Sequence, residues 1–178
     1  MKRLLNATND QRILNFLIDE PGHQYLAAEI QKATGISKGG VNLSLRGLAR
    51  RGLVDRQKKG KVFLYSIDHT NPICKQLKVI KTIQLLMPLM KKISGKAERI
   101  ILFGSAARGE NTKQSDIDIM VISSHSKEEI AKIIQRLKLH KKLQVIVRDP
   151  IEFEEIAKQD PTFFEEVSRG ITVWERGE

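Results

Sequence analysis

The sequence predicts an α/β protein in two parts: three short helices closed by a basic β-hairpin, then a mixed β-sheet flanked by helices. Three observations carry this expectation. Within residues 8–68, apolar positions recur first with helical spacing and then in alternation, as helices giving way to a hairpin do. From residue 96 onward, short apolar runs are separated by amphipathic stretches, the pattern of buried strands joined by helices. Charge divides at the same place. Residues 1–95 hold 17 Lys and Arg against 6 Asp and Glu, residues 96–178 hold 14 against 15, and the whole basic excess of the +10 chain lies in the first half. The organisation read from this is a basic unit over residues 1–70, a linking helix over 71–95 and a second unit over 96–178. At 178 residues, each unit buries only a modest core.

The first helix is expected from Asn9 to Asp19, with Thr8 as its N-cap and Pro21-Gly22 as its breaker. A second runs from Tyr25 to Ala33 and ends at Gly35. Ser37 caps a third that runs to about Arg51 and stops at Gly52. Two helices joined by a tight glycine-containing turn make a helix-turn-helix. On the third helix Val41, Leu45 and Leu48 share one face, while Lys38, Asn42 and Arg46 advance along a neighbouring exposed one. Leu53 to Gln57, the turn Lys58-Lys59-Gly60, and the alternating Lys61 to Ile67 read as a hairpin with a basic tip. Excess Lys and Arg suit a polyanion, because neutralised phosphates release condensed counterions.

The segment GISKGGVNLSLRGLARRGLVDRQKKGKVFLYSID, residues 35–68, resembles the winged helix-turn-helix domains of prokaryotic transcriptional regulators. The resemblance spans residues 8–68 and implies double-stranded DNA as partner. It places Lys38, Asn42 and Arg46 near base edges or phosphates, and Lys58, Lys59 and Lys61 on the phosphate backbone.

Pro72, with Asn71 as cap, opens the linking helix, and Pro88 is expected to kink or restart it near its end. Its stripe Ile73, Leu77, Ile80, Ile83, Leu86 and Leu89 serves either a core within the chain or the seam of a homodimer. The longest apolar run, Ile83 to Met90, is too short to span a bilayer, and Met1 to Leu5 lacks the apolar core of a signal peptide. A cytoplasmic, membrane-free protein is expected. Its single cysteine, Cys74, excludes an intrachain disulfide and a cysteine metal cluster. His23, His69, His125 and His140 show no metal-ligand spacing.

In the second half, the apolar run Glu98 to Phe103 ends abruptly in Gly104-Ser105, a strand feeding a short helix. Glycine lets backbone approach a phosphate closely, and the N–H groups beyond it can receive the anion. Downstream, Asp116-Ile117-Asp118 opens the run Ile119 to Ile122. Residues two apart on a strand point the same way, so both carboxylates share a face. Like charges held this close call for a cation between them. Magnesium, or manganese, bridging both carboxylates and a nucleoside triphosphate is the natural occupant.

GSAARGENTKQSDID, residues 104–118, resembles the signature of the DNA polymerase β-like nucleotidyltransferase superfamily, in its minimal nucleotidyltransferase branch. The resemblance runs from Ala97 to Glu175 and includes the closing segment FFEEVSRGITVWE. It implies that Asp116 and Asp118 ligate the metal and that Gly104 and Ser105 hold the nucleotide phosphates. Arg108 is implied to contact the triphosphate. The implied reaction is attack by a hydroxyl of a protein or small molecule on the α-phosphate of an NTP, transferring a nucleoside monophosphate, AMP foremost, and releasing pyrophosphate.

The family usually places a third carboxylate on the next strand, here Leu143 to Val147, after a helix that Ser126 and Glu129 open with a capping box. The matching residue is Gln144, which can neither act as a base nor neutralise a metal. Asp149 substitutes only if that strand ends early. Three readings follow: a nucleotidyltransferase with an attached DNA-binding domain, a DNA-binding regulator whose degenerate transferase domain senses nucleotide, and an antitoxin-like module paired with a toxin.

Overall fold

The computed structural model describes residues 8–137 and 141–177, so Met1 to Leu5 and His140 lie outside the described residues. The chain divides into two compact units between Lys81 and Thr82.

The N-terminal unit holds α1 (Asn9–Leu17), β1 (Tyr25–Leu26), α2 (Ala27–Thr34), α3 (Lys38–Arg50), β2 (Asp55–Lys59) and β3 (Val62–Ser66), and the long α4 (Pro72–Ile93) begins within it. Thr8 and Gln11 cap α1 reciprocally, each accepting the other's backbone N–H. Ser37 accepts from Gly40 N–H at the start of α3, and Gly35 in the left-handed region ends α2. Ile13, Leu17, Ile30, Val41, Leu45 and Leu48 fuse the three helices into one core, all at most 1% exposed.

Two details differ from the expectation. Tyr25 and Leu26 form a third strand, paired with Tyr65 and Leu64, and do not open the second helix. A strand of two residues is too short to show a period. The hairpin turn is Gly60-Lys61, because Lys59 pairs with Val62, and so Lys58 and Lys59 belong to β2.

The C-terminal unit is a four-stranded sheet in the order β6-β5-β4-β7, built from β4 (Arg99–Phe103), β5 (Ile117–Ile122), β6 (Leu143–Arg148) and β7 (Ile171–Glu175). The β5/β6 pair is parallel and the other two are antiparallel, giving a mixed sheet. Strand alternation sends Ile117, Ile119 and Val121 to one face, against the end of α4 and against α6 (Lys127–Gln135). Met120 and Ile122 go to the other face with Ile101 and Phe103. There they meet Ile156 of α7 (Pro150–Gln159) and Val167 of α8 (Pro161–Ser168).

α4 runs through Pro88 without a restart. Ser126 caps α6, but the Glu129 side chain turns to Lys96 and His125, so only half of the expected box forms. Gly170 closes the return from α8: a Cβ there would lie 2.5 Å from Leu102 O and 2.8 Å from Val167 O.

Candidate active site and nucleic-acid interface

The centre of the site is the end of β4. Gly104 follows Phe103 at φ +66°, a conformation that costs any other residue a Cβ clash, and turns the chain straight into the short α5 (Gly104–Ala107). A Cβ on Gly104 would sit 2.6 Å from Asp118 Oδ2. Glycine is therefore required twice over, once by the turn and once by the carboxylate in the space a side chain would fill. Ser105 is half-buried in the same turn, its carbonyl accepting from Glu110 N–H at 2.9 Å.

Asp118 lies on β5 directly between Phe103 of β4 and Gln144 of β6. Asp116 stands two residues earlier, just outside the strand, within electrostatic reach. Partial burial, then the negative charges of Glu166 and Asp116, push the Asp118 carboxyl above its ordinary value. Lys142 Nζ donates to Asp116 Oδ2 at 2.7 Å, and Asp116 in turn raises the lysine. Lys142 is 79% exposed, so this pair is worth little. Both charges that raise the Asp118 carboxyl are carboxylates.

The position beside Asp118 is Gln144, as the strand register requires. Asp149 does not replace it. It accepts from Glu152 N–H at 2.8 Å as the N-cap of α7, at the far end of β6, roughly 16 Å along the strand from Gln144 at about 3.3 Å per residue. The other acidic side chain acting on Asp118 is Glu166 of α8. Glu166, Thr162, Gly104 and Arg108 line a cavity of about 350 Å³. Arg108 rests between carboxylates, 3.0 Å from Glu110 and 3.7 Å from Glu166.

No group of three or more His, Cys, Asp or Glu among the described residues is arranged to hold a metal ion alone. Magnesium usually takes one or two protein carboxylates and completes its shell with substrate phosphate and water, and Asp116 and Asp118 are the residues that would hold it.

In the N-terminal unit, Lys38, Arg46, Lys58, Lys59 and Lys61 are all exposed, and Asn42 is half-buried. Arg46 Nε donates to Asn42 O at 3.2 Å, laying its guanidinium along α3. Arg56 stacks its guanidinium 3.6 Å over the Phe63 ring on the hairpin.

Residues 9–61 match the model of the MarR family, and residues 85–169 match the model of the nucleotidyltransferase domain. Two proteins of Methanocaldococcus jannaschii, both provisionally named protein adenylyltransferases, are similar to the chain. One is 37% identical over 68 residues, which make up 38% of this chain and 66% of that protein. The other is 31% identical over 104 residues, 53% of this chain and 100% of that protein. The chain belongs to the nucleotidyltransferase domain family. A solved structure from Sulfolobus solfataricus, provisionally named a nucleotidyltransferase, is similar at 20% identity and a TM-score of 0.40, over 57% of this chain and 87% of that one.

Gly104, Ser105, Asp116, Asp118 and Gln144 are gathered at one end of the sheet. Glu166 and Lys142 escaped the sequence reading. No local pattern marks Glu166, which reaches the site only because α8 packs across the sheet. Lys142 precedes Leu143, whose partner across the parallel ladder is Ile117, and that register is its only signal. Among the described residues, no helix is long and apolar enough to cross a membrane.

Proposed function

We propose that the C-terminal unit transfers a nucleoside monophosphate, in the first instance AMP, from an NTP to a hydroxyl of a protein or small molecule, and that the N-terminal unit attaches this activity to double-stranded DNA. The observation that carries the transfer reading is the 2.6 Å approach of Asp118 to the missing side chain of Gly104. It brings a carboxylate against the turn where a phosphate would enter. The names of the two archaeal relatives support adenylyl transfer to protein.

In this reading Gly104 and Ser105 hold the phosphates, and Arg108 leaves Glu110 and Glu166 for the triphosphate. The acceptor oxygen bonds to the α-phosphorus, the bond to pyrophosphate breaks, and the hydroxyl proton passes to water, since Gln144 cannot accept it. A magnesium or manganese ion held by Asp116 and Asp118 would neutralise charge on the phosphates. The basic side chains of α3 and the hairpin support contact with the DNA backbone.

Incubation of the full chain with labelled ATP, GTP, CTP and UTP and magnesium, beside Asp116→Ala/Asp118→Ala, tests the assignment. Incorporation from ATP that the double variant lacks is expected. The second reading, a nucleotide-sensing regulator, is favoured by Gln144 beside Asp118. It takes over if nucleotide raises the melting temperature yet no label is incorporated. Ligand at ten times Kd stabilises by about 1.4 kcal/mol.

A further inference from the structure

On α3 the side turned from the core carries Gly39, Leu43, Arg46 and Arg50, spaced four, three and four residues apart and all exposed. Leu43 is 67% exposed, a large apolar side chain in the middle of an otherwise basic face. It has no part in the helix's packing, because Val41, Ser44, Leu45 and Leu48 form the buried side. Gly39, one turn earlier on the same stripe, has no side chain, and a Cβ there would meet nothing within 4 Å. One and two turns later, Arg46 and Arg50 lie back along the helix, their Nε atoms donating to Asn42 O and Arg46 O. Lys38 opens the helix beside them.

Single exposed leucines are ordinary on protein surfaces. This one sits where the basic side chains would bring a polyanion, and on the helix that would enter the groove. Of the four bases, thymine alone offers an apolar group on the major-groove floor, its 5-methyl. A helix whose charged side chains flank one bare leucine fits phosphates at the sides and a methyl beneath. We propose that Leu43 reads the 5-methyl group of a thymine, so that the chain prefers an A·T pair at one position of its site. This rests on the DNA-binding reading above.

The test uses the full chain. Bound sequences are selected from a random double-stranded library, and each thymine of the best site is then replaced by deoxyuridine, which removes only the methyl. One replacement is expected to weaken wild-type binding about fourfold, the equivalent of one buried methyl. Leu43→Ala should be indifferent to that replacement, while its affinity for unselected DNA stays within twofold of wild type. The assignment is overturned if no thymine in the selected site is sensitive, if Leu43→Ala keeps the sensitivity, or if selection yields no preferred sequence. It also falls if Leu43→Ala changes the oligomeric mass and leaves DNA selection untouched, since the leucine then serves a protein contact. If the wild-type chain retains no DNA at all, the DNA-binding reading itself is lost.

Discussion

Replacing Gly104 by alanine separates the two demands made on that position. At φ +66° an alanine carries a conformational cost of about 1–2 kcal/mol wherever it occurs. At Gly104 the new Cβ also starts 2.6 Å from Asp118 Oδ2, about 0.8 Å inside ordinary contact, and the Asp118 carboxylate must turn to clear it. That adds about 0.5–1.5 kcal/mol. Gly52→Ala is the control, since its φ is +68° and an added Cβ meets nothing within 4 Å. Urea unfolding should therefore show a larger loss at Gly104 than at Gly52. A displacement of about 1 Å at a reacting group costs about 100-fold in rate, so AMP incorporation should fall by that order in Gly104→Ala and remain unchanged in Gly52→Ala. Equal stability losses in the two variants, with incorporation by Gly104→Ala within threefold of wild type, would refute the argument that Asp118 depends on a bare glycine.

Asp118→Asn should stabilise the protein at neutral pH while abolishing transfer. The folded-state carboxyl is raised, so its favourable contribution is complete below the ordinary aspartate value near 3.9 and is lost as pH rises through the folded value. The melting-temperature difference between variant and wild type should grow across that window, and a flat difference contradicts it. Gly170→Ala places a Cβ 2.5 Å from a backbone oxygen that cannot yield, and denaturant unfolding should show a loss of about 1–3 kcal/mol. Replacing Lys58, Lys59 and Lys61 by alanine should weaken DNA binding regardless of sequence. The plot of log affinity against log salt should flatten by about 0.9 for each phosphate that is no longer neutralised, and an unchanged slope removes the hairpin from the interface.

Much of this was legible because the relevant signals are local. Thr8, Ser37 and Gly35 marked helix ends through hydrogen bonds made within four residues. Gly104-Ser105 and the aspartates at 116 and 118 stood out by residue type and spacing, and Gln144 through the family resemblance alone; the parallel register that sets it beside Asp118 came from the structure. What escaped depends on long-range packing. Glu166 is 48 positions from Asp118 in the chain and meets it only through the docking of α8. The Tyr25–Tyr65 pairing that made a strand where a helix was expected spans 40 residues. Glu129 satisfied the capping-box pattern, yet Lys96, from before β4, claimed its carboxylate.

Gln144 stands on β6, the outermost strand of the sheet, and it is exposed. Glutamine and glutamate codons differ in a single base, so the row Phe103–Asp118–Gln144 is one point mutation from ending in an acid. No backbone would have to move, and no core residue would have to change. A lineage carrying this sheet can gain or lose an acid at that position without ever losing the fold in between.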